Sequence, residues 1–133
     1  MCINHFIPLP RVSAADPDGD DGGNGVKLTS PANLHTFWDG VLGGGDAPST
    51  ALNAILTLPN APAGAVSDLN VDHWINESFD AAKQTSYKSP PIGAGVGPFT
   101  VTLAYKTAAQ NLAKERIALA GARLAKILND ELK

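Results

Sequence analysis

The chain has 133 residues and a formal net charge of −3 at pH 7, so we expect one domain without the basic surface that clamps a nucleic acid backbone. Hydrophobic residues make up 44% of the sequence, but 20 of them are alanines, and the 13 glycines and 10 prolines favour long loops around a thin core. The single cysteine, Cys2, argues against a disulfide framework or a cysteine-based zinc site. No apolar run is long enough for a membrane span, and residues 1–7 lack the pattern of a signal peptide.

The first half of the sequence predicts short helices between long loops. Residues 1–7 are apolar, and residues 8–31 form a polar loop rich in Gly and Asp. A loop of this length is unusual in a small domain and is often functional. Residues 33–42 predict a helix that three glycines at 43–45 would end, and residues 49–56 are a weaker helix candidate.

The second half predicts two longer helices. Residues 57–71 contain prolines and glycine and are typical of a loop. Asp72 suits the N-cap of a helix over residues 73–87. A long helix is predicted over residues 101–131, with one broad apolar face and charged residues mostly on the other. The apolar face comprises Leu112, Ile117, Leu124, Ile127, Leu128 and Leu132, and the charged set comprises Lys114, Glu115, Arg116, Arg123 and Lys126. The predicted class is all-α with long Gly/Pro-rich loops.

His35 and Asp39 lie one turn apart on the predicted helix 33–42. An imidazole nitrogen and a carboxylate oxygen on one helix face can bind a single divalent ion, and zinc is the natural candidate. The alternative is an ordinary surface pair, which the spacing alone favours because such a spacing also arises by chance. Two ligands do not complete a zinc site, which needs three or four.

The segment 16–25 is rich in aspartate and glycine. It does not fit a calcium-binding EF-hand, because the sixth and twelfth positions from Asp16 are not Gly and Glu. One interpretation is a solvated acidic turn. The other is that Gly22 and Gly23 let the backbone approach a ligand closely, while the Asn24 amide donates and accepts hydrogen bonds.

The two remaining histidines have simpler interpretations. His5 lies in an apolar stretch and is typical of a core or edge histidine. His73 and Glu77 repeat the one-turn spacing, and we predict a surface pair because Asp72 is expected to serve as a cap.

Four motifs occur in an order that is specific when they are taken together. They are Gly22-Gly23-Asn24-Gly25-Val26-Lys27, then Asn33-Leu34-His35 with Trp38-Asp39, then Trp74-Ile75-Asn76-Glu77-Ser78, and finally Ala120-Gly121-Ala122-Arg123-Leu124-Ala125. This set resembles the zinc-dependent single-strand-specific nucleases of fungi, plants and bacteria, a family related to bacterial zinc phospholipase C. The resemblance covers nearly the whole chain.

The resemblance implies an all-α fold with a zinc cluster that hydrolyses phosphodiester bonds in single-stranded DNA and RNA and removes 3′-phosphates from nucleotides. It implies that His35 and Asp39 bind zinc, that Gly22, Gly23 and Asn24 line the substrate pocket, and that Asn24 acts near the scissile phosphate. The metal cluster would supply the positive charge that the chain lacks. Secretion or a periplasmic location is also implied, with no membrane partner.

The sequence departs from the family pattern upstream of the turn. His5-Phe6-Ile7 resembles the start of a ligand-bearing segment, which makes His5 a candidate metal ligand, but the Gly-Asp and the final His of that segment are missing. We therefore expect residues 1–133 to be the C-terminal portion of a larger nuclease domain, with little or no activity alone. One alternative is a non-catalytic helical remnant or interaction module that uses the 101–131 helix. Another is a phospholipase C-like phosphoesterase, although those relatives tend to carry Glu where this chain has Asp39.

Overall fold

The computed structural model describes residues 19–43, 48–88, 90–93 and 95–132. Across these ranges the chain is helical, with isolated β-bridges and no extended strand, which confirms the all-α class. None of the described helices is both long and apolar enough to cross a membrane. The helices are α1 Leu34–Asp39, α2 Pro48–Ile55, α3 Ala63–Ser67, α4 Val71–Ala81 and α5 Leu103–Glu131, with a 3₁₀ turn at Asp21–Gly23 and a π-helical turn at Ala82–Ser86 that continues α4.

Helix α1 begins where the sequence predicts, because Asn33 is its N-cap. The Asn33 side chain accepts a hydrogen bond from the Thr36 N–H at 2.8 Å. The helix ends at Asp39, earlier than predicted, because the Gly40 N–H closes the last turn on the Thr36 carbonyl and the chain then turns. One face of this short helix enters the core through Leu34, Phe37 and Trp38.

The region before α4 differs from the prediction in two respects. The stretch predicted as loop contains α3. Asn70, rather than Asp72, caps α4, because the Asn70 Oδ1 accepts from the backbone N–H groups of Asp72 and His73 at 2.9 and 3.4 Å. Asp72 instead lies in the first turn of α4, where a negative charge is favourable near the positive end of the helix dipole.

The long helix α5 confirms the predicted element, and most of its predicted apolar face is exposed. Its buried side chains are Tyr105, Ala109, Ala113, Leu119 and Arg123. The large apolar residues at 117, 124, 128 and 132 are exposed, while those at 112 and 127 are half-buried. The side chains that pack inward include Ala109 and Ala113, whose small size permits close approach of α5 to the core.

The hydrophobic core joins α1 to the first half of α5. Trp38 packs edge-on against Phe37 and Tyr105, with ring centroids 6.0 and 6.5 Å away. The Trp38 Nε1–H donates to the Tyr105 hydroxyl at 3.3 Å, and that hydroxyl donates to the Ser86 carbonyl at 2.6 Å. The core comprises Val26, Leu28, Leu34, Phe37, Trp38, Val41, Ile92, Tyr105, Ala109 and Ala113.

The segment between the 3₁₀ turn and α1 is held by backbone hydrogen bonds to the loop before α5. The Lys27 N–H donates to the Val96 carbonyl at 2.7 Å, and the Phe99 N–H donates to the Lys27 carbonyl at 2.9 Å. Gly97 has φ +91°, and a Cβ there would collide with the Lys27 carbonyl oxygen. Glycine is therefore required at position 97. The close approach and its hydrogen bonds hold the segment around Lys27, which leads into α1.

A charged cluster joins α3, α4 and α5. Both Glu77 carboxylate oxygens accept from the Arg123 guanidinium, at 2.9 and 2.8 Å, and Arg116 donates to the same carboxylate at 3.1 Å. The Arg123 Nε–H donates to the Ala65 carbonyl at 3.0 Å, and its guanidinium lies 5.0 Å from the Trp74 ring centroid. The prediction that Arg123 lies on the charged outer face of the long helix was therefore wrong. Arg123 is buried, and the Glu77 carboxylate neutralises its charge.

Candidate functional site

The Gly-Gly-Asn segment forms a tight turn whose backbone is left-handed at three successive residues. The φ angles are +51° at Asp21, +62° at Gly22 and +93° at Gly23. Glycine adopts such angles without steric cost, and aspartate tolerates them better than most residues. The turn is closed by Asp20, whose backbone carbonyl accepts from the Gly23 and Gly25 N–H groups at 3.0 and 2.9 Å.

The exposed face of α1 brings His35 and Asp39 together. The His35 Nε2 lies 3.2 Å from the Asp39 Oδ2, and the side chains are 27% and 48% exposed, so solvent reaches both. The His35 Nδ1 lies 3.2 Å from the Gly22 carbonyl oxygen. A carbonyl only accepts hydrogen bonds, so Nδ1 carries a proton and donates to Gly22. This arrangement directs Nε2 toward the carboxylate.

The geometry of this pair fits zinc as two of its ligands. Zinc bonds to His and Asp are about 2.1 Å long, so two ligands of a tetrahedral ion lie roughly 3.4 Å apart, close to the observed separation of 3.2 Å. Two lone-pair atoms facing each other at this distance need a proton or a cation between them. A histidine whose other ring nitrogen donates to a backbone carbonyl is also typical of zinc sites.

The described ranges contain no group of three or more His, Cys, Asp and Glu side chains that could hold a metal ion. His5, the further candidate ligand, lies outside the described residues. His73 and Glu77 do not pair with each other. The His73 Nδ1 lies 2.8 Å from the Asp68 Oδ2, a contact that lowers the pKa of Asp68, while Glu77 is held by arginines. His73 is exposed, as expected, although Asp72 is not the cap.

The three predicted substrate-binding residues differ in their accessibility. Gly22 is half-buried and contacts His35, Gly23 is buried, and Asn24 is exposed. The Asn24 Nδ2 donates to the Asp21 carbonyl at 3.0 Å, which orients the amide on the outside of the turn. The turn thereby presents the Asn24 side chain, two residues along the chain from the Gly22 carbonyl that His35 contacts.

A groove of about 450 Å³ lies elsewhere, between α5 and the end of α4 with its π-helical turn. Its lining includes the polar side chains of Asp80, Gln84, Asn111 and Glu115, but neither His35 nor Asp39. The candidate site is therefore an open surface formed by the turn and α1, and not the groove.

Comparison with known protein families matches residues 5–133 to the S1/P1 nuclease family. The chain belongs to the S1/P1 nuclease family. No curated protein and no solved structure matches it. Because the match extends through α5, membership of this nuclease family applies to nearly the whole chain, and it supports a nuclease or phosphodiesterase function.

Two of the four sequence motifs meet at the charged cluster, not at the candidate site. Trp74 and Glu77 come from the Trp-Ile-Asn-Glu-Ser motif, and Arg123 comes from the final helix motif. Ser78 of the former motif accepts from Arg116 at 2.9 Å. These motifs therefore hold the helices together, whereas the Gly-Gly-Asn and Asn-Leu-His motifs form the candidate site.

Sequence reasoning missed one residue of the candidate site. Asp20 is 5% exposed, and its Oδ1 accepts from the Gly23 N–H at 3.2 Å. The available signal was an aspartate three residues before a glycine in a turn, the spacing at which aspartate side chains bond to their own backbone.

Proposed function

We propose that this member of the S1/P1 nuclease family contributes His35 and Asp39 to a zinc centre that hydrolyses phosphodiester bonds in single-stranded DNA and RNA. The observation that carries the proposal is the 3.2 Å separation of Nε2 and Oδ2, combined with the contact between Nδ1 and the Gly22 carbonyl. The family match supports the reaction class.

Each residue has a distinct role in the proposal. His35 binds the metal through Nε2, and Asp39 binds it through the carboxylate. Zinc, when bound, supplies a Lewis acid that activates water and offsets phosphate charge. Asn24 offers its amide oxygen and a second N–H to the substrate phosphate or base, because its hydrogen bond to the Asp21 carbonyl uses one N–H. Gly22 and Gly23 form the wall of the substrate pocket, and 3′-nucleotides are further substrates.

We also propose that residues 1–133 are the C-terminal portion of a larger nuclease domain and have little or no activity alone. Two described ligands are fewer than the three or four that zinc needs. By family resemblance, His5 is a further ligand. The exposed apolar side chains of α2 and α5 support the proposal, because such faces are normally covered in a folded domain. Secretion or a periplasmic location is part of the same proposal.

Two other functions compete with this one. A non-catalytic helical remnant or interaction module is favoured by the small number of ligands. A phospholipase C-like phosphoesterase is less favoured, because its relatives tend to have Glu at the position of Asp39.

The metal role of His35 is tested by zinc titration, with binding measured by calorimetry on the wild type, His35→Ala and Asp39→Ala. We expect each substitution to weaken zinc binding by at least about tenfold, since each removes one of two converging ligands. His73→Ala is the matched control, because His73 also contacts an aspartate but lies on α4, and it should bind zinc as the wild type does. Equal affinity in His35→Ala would contradict the proposed metal site.

Activity is tested separately with single-stranded DNA, with and without a chelator. We expect the 133-residue chain to show little cleavage. Stoichiometric zinc with chelator-sensitive cleavage that is lost in His35→Ala would overturn the proposed incompleteness while supporting the nuclease function.

A further inference from the structure

We propose that Asp20 is a positioning residue for His35, and that it acts through a single peptide group of the Gly-Gly turn. The inference rests on the proposed zinc-binding role of His35 and extends it to a residue that carries no ligand atom. It explains why a buried carboxylate lies beside an exposed candidate metal site.

The first observation concerns the bonding of Asp20. The side chain is 5% exposed, and one oxygen, Oδ1, accepts from the Gly23 N–H at 3.2 Å. The other oxygen, Oδ2, is buried and has no hydrogen-bond partner in the described part of the chain. An unpaired buried carboxylate oxygen is destabilising. The Oδ1 bond caps the 3₁₀ turn, whereas Oδ2 makes no contact that favours a carboxylate over a neutral capping side chain.

The second observation is that Asp20 and His35 hold opposite edges of the same peptide group. The Gly23 N–H and the Gly22 carbonyl belong to one planar unit, in which a trans bond makes the N–H and C=O point in opposite directions. Asp20 accepts from the N–H edge at 3.2 Å, and His35 donates to the C=O edge at 3.2 Å. Fixing the first edge therefore fixes the second.

The third observation is that this peptide group needs an external restraint. It lies between two glycines, whose φ angles are +62° and +93°, and glycine backbones rotate more freely than any others. The Asp20 backbone carbonyl also accepts from the Gly23 N–H, at 3.0 Å. Without the Asp20 side chain this bond alone holds the peptide group, so its carbonyl turns away from His35 more readily. The Nδ1 proton then loses its acceptor, and Nε2 is no longer held toward Asp39.

The test is a zinc titration followed by long-range ¹H–¹⁵N NMR of the imidazole rings, which reports both affinity and the nitrogen that binds the metal. In the wild type we expect zinc at Nε2 of His35, with the proton retained on Nδ1. In Asp20→Ala we expect zinc binding about tenfold weaker, the usual effect of losing a group that orients a metal ligand, and a mixture of binding nitrogens.

Two variants separate this role from a general effect of charge. Asp20→Asn keeps an oxygen acceptor for the Gly23 N–H and places an N–H₂ group where Oδ2 has no partner, so we expect affinity close to that of the wild type. Asp80→Ala removes an equal charge from an exposed position on α4 and should leave zinc binding unchanged. Circular dichroism checks that each variant is folded.

The outcomes distinguish the two proposals. If the wild type does not bind zinc at His35, the proposed function fails and this inference fails with it. If the wild type binds zinc and folded Asp20→Ala binds it equally well, only the role of Asp20 is overturned. If Asp20→Ala does not fold, hydrogen exchange on the wild type decides: zinc should slow exchange of the Gly23 N–H, and no change would overturn the inference.

Discussion

Tyr105 connects two parts of the core through its hydroxyl group. The hydroxyl accepts from Trp38 and donates to the Ser86 carbonyl. Burial raises the pKa of Tyr105 to about 12, because the charged phenolate is poorly solvated in the interior. The Tyr105 hydroxyl oxygen therefore provides a hydrogen-bond partner for both the Trp38 indole N–H and the Ser86 carbonyl.

We predict that Tyr105→Phe lowers the free energy of unfolding by about 1–3 kcal/mol, because the indole N–H and the Ser86 carbonyl both lose a buried partner. Urea denaturation at pH 7 measures the change. Ser67→Ala is the control, since it removes an exposed hydrogen bond to Gly64 and should cost about 0.5 kcal/mol or less. Equal losses in the two variants would contradict the interpretation.

The pH dependence of Tyr105 has a definite sign. Its folded pKa of about 12 lies above the ordinary value of 10.0. The stabilising contribution is therefore complete below pH 10 and is lost as the pH rises toward 12. Tyr105→Phe should lack this part of the alkaline loss of stability, measured by thermal unfolding between pH 9 and about pH 11.5.

At the level of elements, α3, α4 and α5 are joined by one carboxylate. Hydrogen bonds from Arg123 and then from Arg116 hold the pKa of Glu77 below its ordinary value of 4.5. Arg123 is 6% exposed and Glu77 is 32% exposed, so solvent weakens the interaction only in part. The paired charges explain how an arginine lies within the helix packing.

We predict that Glu77→Gln destabilises the protein by about 1–3 kcal/mol at pH 7, less than a fully buried pair because Glu77 remains partly exposed. A lowered folded pKa means that the contribution is present above pH 4.5 and is lost as the pH falls through the lower folded value. The difference between wild type and Glu77→Gln should shrink at acid pH. Glu115→Gln, an exposed glutamate on α5, is the matched control, and a pH-independent difference would refute the interpretation.

At the scale of the whole molecule, large apolar side chains remain on the surface. On α5 the exposed positions 117, 124 and 128 follow helical spacing, so they lie on one face. On α2 the exposed apolar residues include Leu52 and Ile55, and Leu56 directly after the helix is exposed too. Apolar faces of this kind mark surfaces that other parts of a protein cover, which agrees with the proposal of a larger domain.

We predict that Leu124→Lys and Leu128→Lys change the free energy of unfolding of this chain by no more than about 0.5 kcal/mol, because Leu124 is 56% and Leu128 47% exposed. Ala113→Lys, at a position 2% exposed, should instead be strongly destabilising. Chemical denaturation compares the three. A large loss in either leucine variant would show that the face is buried in the chain as it exists.

Local features of the site followed from the sequence. The start of the helix near residue 33, the one-turn spacing of His35 and Asp39, and the glycine turn all depend on neighbours within a few residues, so the pattern of residue types is sufficient. The family motifs likewise placed the chain in a nuclease family that the comparison then matched. The metal role of His35 and Asp39 remains a prediction.

Tertiary structure decided the rest. The buried face of α5 depends on which elements pack against it, and the periodicity of the leucines does not reveal that Tyr105, Ala109 and Ala113 are the residues inside. Arg123 is buried because Glu77, 46 residues earlier in the chain, neutralises it, a pairing that no local spacing reveals. Asp20 acquires its proposed role only because α1 returns to the turn and places His35 against the opposite edge of the peptide that Asp20 holds.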